Sequence, residues 1–304
     1  PRLIKSILSV NNYTKINYVI GVSSNKAFMK SLKTDKVYVK RYFNNLTVVP
    51  KIKNISFLRN IIWYVKIILF SFNKDISFVH SHSIEDLPIA YLISRFKKAK
   101  LIYEPHELET ERKGWFGINK KLSKIFEKKL IHKPYHIIVI GNKIKKWYKE
   151  KYNISDANIS VVKNIPIRFT QKQKNFNIRK KLNLKKDDTL FIYQGGLMEE
   201  RGIEIILETF KSLPKKFNVL FIGEGIKKKL IQISSLNFSN IHFHEKVPYE
   251  NLLQITREAD IGIHMIQNSC LNHYYCLPNK IFEYLSANIA ILASNFPEII
   301  ETIE

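Results

Sequence analysis

Short apolar runs rich in β-branched residues alternate with longer segments of helical periodicity along this chain, and the alternation runs through once and then starts again. That pattern is the mark of βαβ units around a parallel sheet, whose strands are covered on both faces and therefore read as continuous apolar stretches. In the first half, residues 16–22, 36–41, 76–80, 100–103, 136–140 and 159–162 read as strands. Between them, residues 60–72, 84–96, 118–132 and 142–152 carry apolar side chains at three- and four-residue spacing, with Lys and Arg on the outer faces. In the second half, residues 189–193, 218–222, 240–243, 260–265 and 289–293 read as strands, separated by helices near 202–212, 225–234, 249–258 and 278–286. The polar, weakly periodic stretch 168–186, with a short helix at 180–184, separates the halves. The expectation is an α/β protein of two doubly wound, Rossmann-like domains facing a cleft, residues 1–168 and 169–304. Residues 1–10 read as a helix where such a domain ordinarily opens with a strand, and residues 297–304 as a helix without a cap, so the chain reads as a fragment of a longer protein.

Charge and cysteine content narrow the function classes. Fifty Lys and Arg against 26 Asp and Glu give a net charge of +24, which calls for an anionic partner: nucleic acid, a phosphorylated metabolite or an acidic membrane surface. The lysines are spread through every segment, so charge alone does not choose among these. Two cysteines in 304 residues make no disulfide framework, which suits a reducing cytoplasm. No signal peptide is visible, and the most apolar stretch, residues 61–72, is interrupted by Lys66 and falls short of the ~20 apolar residues of a spanning helix.

Two places carry recognisable chemistry. The stretch Tyr193-Gln-Gly-Gly-Leu-Met-Glu-Glu-Arg-Gly202 lies between an apolar strand and an amphipathic helix. Gly195 and Gly196 would let the backbone approach a ligand, the helix start offers unpaired N–H groups, and Arg201 would grip a phosphate with two parallel bonds. The alternative is a tight turn with a solvated Arg. Gly223-x-Gly225 repeats the arrangement after the next strand, and two glycine turns on one sheet edge favour a nucleotide cleft. In Leu277-Pro-Asn-Lys-Ile-Phe-Glu-Tyr-Leu-Ser-Ala287, Lys280 can neutralise a diphosphate and Glu283 can accept bonds from both ribose hydroxyls. The alternative there is an i, i+3 surface ion pair worth a few tenths of a kcal/mol.

The combination Tyr193-Gln-Gly-Gly-x4-Arg201-Gly202, Gly223-x-Gly225, Ala259-Asp-Ile-Gly262 and Pro278-Asn-Lys-x-Phe-Glu-Tyr284 resembles glycosyltransferase family 4, the retaining GT-B enzymes. Ser81-His82-x3-Asp86-Leu-Pro88, Tyr103-Glu-Pro-His-Glu-Leu108 and Val162-x-Asn-x-Pro166 are similar to that family's acceptor-side domain, so the resemblance spans nearly the whole chain. It implies a GT-B fold, a nucleotide-diphosphate sugar held by the C-terminal domain, a saccharide or lipid-linked acceptor held mainly by the N-terminal one, and transfer with retention. No metal and no cofactor are expected; the nucleotide sugar is a substrate. By the same resemblance, His106 approaches the donor sugar, and Gly195, Gly196, Arg201, Gly223, Asn279, Lys280 and Glu283 bind the donor, with Glu283 at the ribose.

This sequence departs from the family in two places. Tyr275 stands eight residues before Glu283, where the family's E-x7-E motif has its first glutamate, so the contact to the donor sugar falls to the 272–276 loop, with Tyr275 and Cys276. Gly196 stands where many members have a basic residue, leaving Arg201 and Lys280 as the main cations. The family's N-terminal glycine-rich loop would precede Pro1.

The spacing Cys270-x2-His273-x2-Cys276, with His264 nearby, offers soft-metal ligands, but lining the donor pocket is the better reading. His242 and His244 share one strand face as solvated or core side chains. Residues 59–72 and 113–133 mix Trp, Phe and Ile with Lys and Arg, which suits helices on an anionic membrane surface as well as ordinary packing. The expectation is therefore a cytoplasmic bacterial glycosyltransferase, peripheral on the inner face of the plasma membrane, acting in surface polysaccharide biosynthesis. A sugar-nucleotide 2-epimerase of GT-B fold and a basic nucleic-acid-binding protein are the alternatives, the latter without any recognised nucleic-acid motif.

Overall fold

The computed structural model describes residues 19–23, 46–50, 56–114, 116–166 and 176–304. The strand expected at 36–41, the helix at 1–10 and residues 168–175 of the separating stretch lie outside them. The chain divides into two compact units, Pro1–Pro105 with Ser123–Ile137, and His106–Leu122 with Ile138–Glu304.

In the N-terminal part, β1 (Val19–Ser23) pairs in parallel with β2 (Leu46–Pro50), a strand the sequence reading missed. Further along, β3 (Phe78–Ser81), β4 (Lys100–Tyr103), β5 (His136–Val139) and β6 (Ile159–Val161) form a sheet in that order. Its connecting helices are α1 (Ser56–Phe72), α2 (Leu87–Lys97), α3 (Gly117–Leu130) and α4 (Asn142–Tyr152). Helix α2 begins with Pro88 in its first turn and ends at Lys98, which takes the left-handed conformation that stops a helix, so β4 starts two residues later.

The C-terminal sheet has the order β11-β10-β7-β8-β9, all parallel: β7 (Thr189–Gly196), β8 (Phe217–Glu224), β9 (Ile241–His244), β10 (Ile261–His264) and β11 (Ala290–Ala293). Alternation along β7 and β8 builds both of its cores. Tyr193, Val219 and Phe221 pack with Ile203, Ile206, Leu207 and Phe210 of α6 (Ile203–Ser212) and with Ile231 of α7 (Lys228–Asn237). Leu190, Ile192, Leu220 and Ile222 turn the other way, onto Ile178 of α5 (Ile178–Lys181), Ile255 of α8 (Tyr249–Thr256) and Tyr284 of α10 (Asn279–Ala287). The remaining helices are the short α9 (Leu271–Tyr274) and α11 (Pro297–Ile303). Burial of two apolar faces is what makes β8 apolar without interruption from Val219 to Ile222.

Helix α11 is fastened by a charge at a helix start. The fully buried Glu298 accepts hydrogen bonds from the backbone N–H of Asn142 at 2.9 Å and of Lys143 at 2.6 Å, the first donors of α4. A Cβ at Gly141 would fall 2.4 Å from the Glu298 Cδ, so a larger residue there would have to push the Glu298 carboxylate aside.

Candidate donor-binding site

The strand order of the C-terminal sheet reverses between β7 and β10, because the chain steps outward through β8 and β9 before returning to β10 on the far side of β7, with all strands parallel. In open α/β sheets the ligand crevice forms at the carboxyl ends of the strands flanking such a reversal. Here those ends are Gln194-Gly195-Gly196 on β7 and His264 on β10.

Close backbone approach explains the glycines. Gly195 pairs with Gly223 across β7 and β8, and a Cβ at Gly223 would lie 1.9 Å from the Gly195 carbonyl oxygen. Gly195 itself has φ +110°, and its absent side chain leaves the room that the Lys280 Cε occupies. Both Gly195 and Gly196 are exposed, so their backbone is open to a ligand.

Lys280 extends from the first turn of α10 to place its Nζ 3.7 Å from the centre of the Tyr193 ring. Burial pulls the ammonium pKa down to about 7, the charge of Arg201 pulls the same way, and Glu283 opposes both. Arg201, in the turn before α6, also lowers the pKa of His264 and His273, and no ion pair with an acidic side chain offsets it among the described residues. Two cations that repel one another in a partly dry crevice are costly without an anion, and they are what a diphosphate would stabilise.

Glu283 lies on the next turn of α10. Its Oε2 accepts a 2.6 Å hydrogen bond from Nε2 of Gln194, and the Gln194 Oε1 accepts one of 2.7 Å from the hydroxyl of Thr256. Gln194 and Thr256 are buried, so this relay fixes the carboxylate before any ligand arrives. The role of Gln194 was not apparent from the sequence, although the residue lies inside the glycine motif; Thr256, 62 positions away, carried no signal.

His264, named in the sequence only as a neighbour of the cysteines, lies inside this crevice. It is 2% exposed, and neither ring nitrogen has a hydrogen-bond partner among the described residues. Burial, with Lys280, Arg201 and His273 around it, drives its pKa well below the usual imidazole range, so the ring is neutral and offers one donor and one acceptor. Two positions earlier on the same face, a Cβ at Gly262 would meet the Tyr284 ring at 2.4 Å, which turns this face of β10 toward α10. Leaving a buried polar group unpaired costs about 1–3 kcal/mol, an expense understandable where a ligand supplies the partner.

The remaining expected residues fall around this edge. Asn279 is exposed at the start of α10. Tyr275 and Cys276 close the turn after α9, where burial pushes the Cys276 thiol up to about 12, so it stays protonated. His273 contacts the Ser269 hydroxyl at 2.9 Å through Nδ1. His106 is partly buried in the loop after β4, and that loop is tied to α9: the Leu108 N–H donates to Asn272 Oδ1 at 2.9 Å, and Asn272 Nδ2 donates to Glu107 Oε2 at 2.6 Å. Glu200 in the β7–α6 turn accepts a 2.6 Å bond from the Ser269 hydroxyl and pairs with Lys113. Within this unit the segment following His106 is thus joined to the elements around Arg201. Neither Asn272 nor Glu200 stood out in the sequence. His242 bonds Asn218 Oδ1 at 3.0 Å, an internal strand contact unrelated to the edge.

These features define an α/β protein with an anion-receptive crevice at the reversal of a doubly wound sheet. Residues 30–165 match the family model "Glycosyltransferase Family 4", and residues 174–304 match "Glycosyl transferases group 1". The chain belongs to these glycosyltransferases, with the GT-B fold. Among solved structures it is similar to Alr3699/HepE of Anabaena in complex with UDP, at 12% identity and TM-score 0.67 over 95% of this chain and 83% of that one. A glycosyltransferase of Rickettsia africae is 17% identical, with TM-score 0.66 over 98% of this chain and 75% of that one. WaaG, a glycosyltransferase involved in lipopolysaccharide biosynthesis, is 14% identical, with TM-score 0.58 over 95% of this chain and 82% of that one. No curated protein matches the chain.

Proposed function

We propose that this glycosyltransferase moves a sugar from a nucleotide-diphosphate donor to a saccharide or lipid-linked acceptor, with retention and without a metal at the diphosphate. The observation that carries the reading is the pair Arg201 and Lys280, with no acidic side chain paired to Arg201 among the described residues, beside the exposed Gly195-Gly196 backbone. Negative charge grows on the departing diphosphate as the glycosidic bond breaks, and donors fixed in advance at that place act where the charge develops. Arg201, the Lys280 ammonium and the backbone N–H groups supply that stabilisation, the part a divalent ion would otherwise play. Glu283, held by Gln194, accepts the ribose hydroxyls. His106 approaches the donor sugar, and the turn with Tyr275 and Cys276 takes the place of the family's first glutamate.

A role in surface polysaccharide assembly at the inner face of the plasma membrane accords with WaaG among the similar structures. It also accords with the outside of α3, where Leu122, Ile125 and Phe126 are exposed among Lys120, Lys121, Lys124, Lys128 and Lys129. No helix among the described residues is long and apolar enough to cross a membrane.

Product analysis with and without acceptor tests the reading. Nucleotide sugars incubated with the protein and a lipid-linked saccharide in the presence of chelator should give a glycosylated product whose anomeric proton keeps the donor's configuration. Conversion of the donor sugar in the absence of acceptor would mark an epimerase, and an inverted product or strict metal dependence would overturn the mechanism.

A further inference from the structure

We propose that His80, His82 and Glu104 form a binding site for a zinc-type divalent cation at the carboxyl edge of the N-terminal sheet. This lies outside the donor reading, which needs no metal, and neither depends on the other.

The site follows from register. His80 and His82 are two positions apart at the end of β3, so both rings leave on one face, with centroids 4.1 Å apart and planes tilted by 30°. Ser81 is the partner of Tyr103 on β4, and the N–H of the next residue, Glu104, donates to the Ser81 carbonyl at 2.8 Å, which brings the carboxylate alongside the two imidazoles. Glu104 is 2% exposed. Its Oε2 lies 2.8 Å from His80 Nε2 and 3.5 Å from His82 Nδ1, and one ligand atom from each residue falls within 4.8 Å of the others.

The contact to His80 lacks the alignment of a hydrogen bond, although the nitrogen is buried. Together the three side chains offer one carboxylate oxygen and two imidazole nitrogens to a shared centre. A metal ion is held by neutral imidazoles. With bonds of about 2.1 Å, neighbouring ligand atoms around a metal stand about 3.0 to 3.4 Å apart, and the two observed separations bracket that range. Two imidazole nitrogens and one carboxylate oxygen suit zinc, and cobalt or nickel in its place, better than magnesium or calcium with their all-oxygen shells. Three protein ligands leave a fourth position for water or a ligand oxygen, at the strand ends where α/β sheets receive their ligands. Both imidazoles are partly exposed, which provides entry.

The test uses the full chain freed of metal by chelator, titrated with Zn2+ by calorimetry and with Co2+ by absorption. The expected result is one equivalent bound with a Kd on the order of micromolar or tighter, and Co2+ bands of low coordination number. His82→Ala should weaken binding by at least about tenfold, as should Glu104→Gln, while Cys276→Ser leaves it unchanged. His82 is partly exposed, so its variant carries the test should Glu104→Gln fail to fold; a far-UV circular-dichroism spectrum and a melting temperature matching wild type serve as the check on folding. Absence of stoichiometric binding by folded wild type, or binding indifferent to His82→Ala, would overturn the proposal.

Discussion

The carboxyl edges of the two larger sheets have the same backbone plan and opposite electrostatics. At β7 and β10, Arg201 and Lys280 gather around an uncharged His264, and the acidic Glu283 is occupied by Gln194. At β3 and β4 the buried charge is the carboxylate of Glu104, with two imidazoles beside it. The comparison teaches that parallel strands supply a location, while the few residues just past each strand end decide which sign of charge the location accepts. On the readings proposed above, one edge takes a diphosphate and the other a zinc-type cation.

The strongest way to break the comparison is to close one edge. Gly223→Ala puts a methyl group 1.9 Å from the Gly195 carbonyl, a backbone atom that cannot step aside without separating β7 from β8. A loss of about 3–5 kcal/mol is expected in urea unfolding of the C-terminal part, with loss of diphosphate binding, whereas Gly114→Ala, which meets nothing within 4 Å but keeps a positive φ, should cost no more than about 1–2 kcal/mol.

Protonation sharpens the comparison further. The Lys280 pKa lies at about 7 in the free protein, and a bound diphosphate raises it again, so binding above pH 7 takes up a proton. Affinity for UDP should therefore fall as pH rises from 7 to 9, by up to about tenfold per unit, and Lys280→Met should abolish this slope. The same depressed pKa makes the empty protein more stable, not less, as pH rises above 7, since there the unfolded chain holds the extra proton; thermal melts at pH 7 and 9 read the sign.

His264→Phe should separate stability from function at one residue. Removing two unpaired buried nitrogens should raise the stability of the free protein by about 1 kcal/mol in urea, while donor-sugar affinity falls about tenfold. Gln194→Leu releases Glu283 from its relay, and the expected change is smaller, a rise in donor KM of about fivefold with kcat little altered.

Legibility in the sequence followed the range of the interactions. Strand β4 and helix α4 were read with their correct limits because local signals bound them, a left-handed Lys98 before β4 and Gly141 before α4. Strand β7 was read to Tyr193 but runs to Gly196, because its glycines read as a turn and only the pairing of Gly195 with Gly223 keeps them in the sheet. Strand β2, five residues ending in Pro50, exists through its long-range pairing with β1 and was missed. In the site, Arg201, Lys280 and Glu283 could be named from motifs. Thr256 and Asn272 could not, nor could Glu298 beneath α4, since each acts on a partner 62 to 164 positions away. His264 was noted only as a neighbour of the cysteines, because burial without a partner is invisible before the fold is known.

The most direct test of the account is a calorimetric titration of UDP, with GDP, ADP and CMP for comparison, in the presence of chelator, on the wild type and on Arg201→Ala. The account predicts selective binding of one nucleotide without metal, weakened in the variant by about 1.5–3 kcal/mol, that is, about ten- to a hundredfold. Binding that needs a divalent ion, or that survives unchanged in Arg201→Ala, would contradict a donor site built on Arg201 and Lys280.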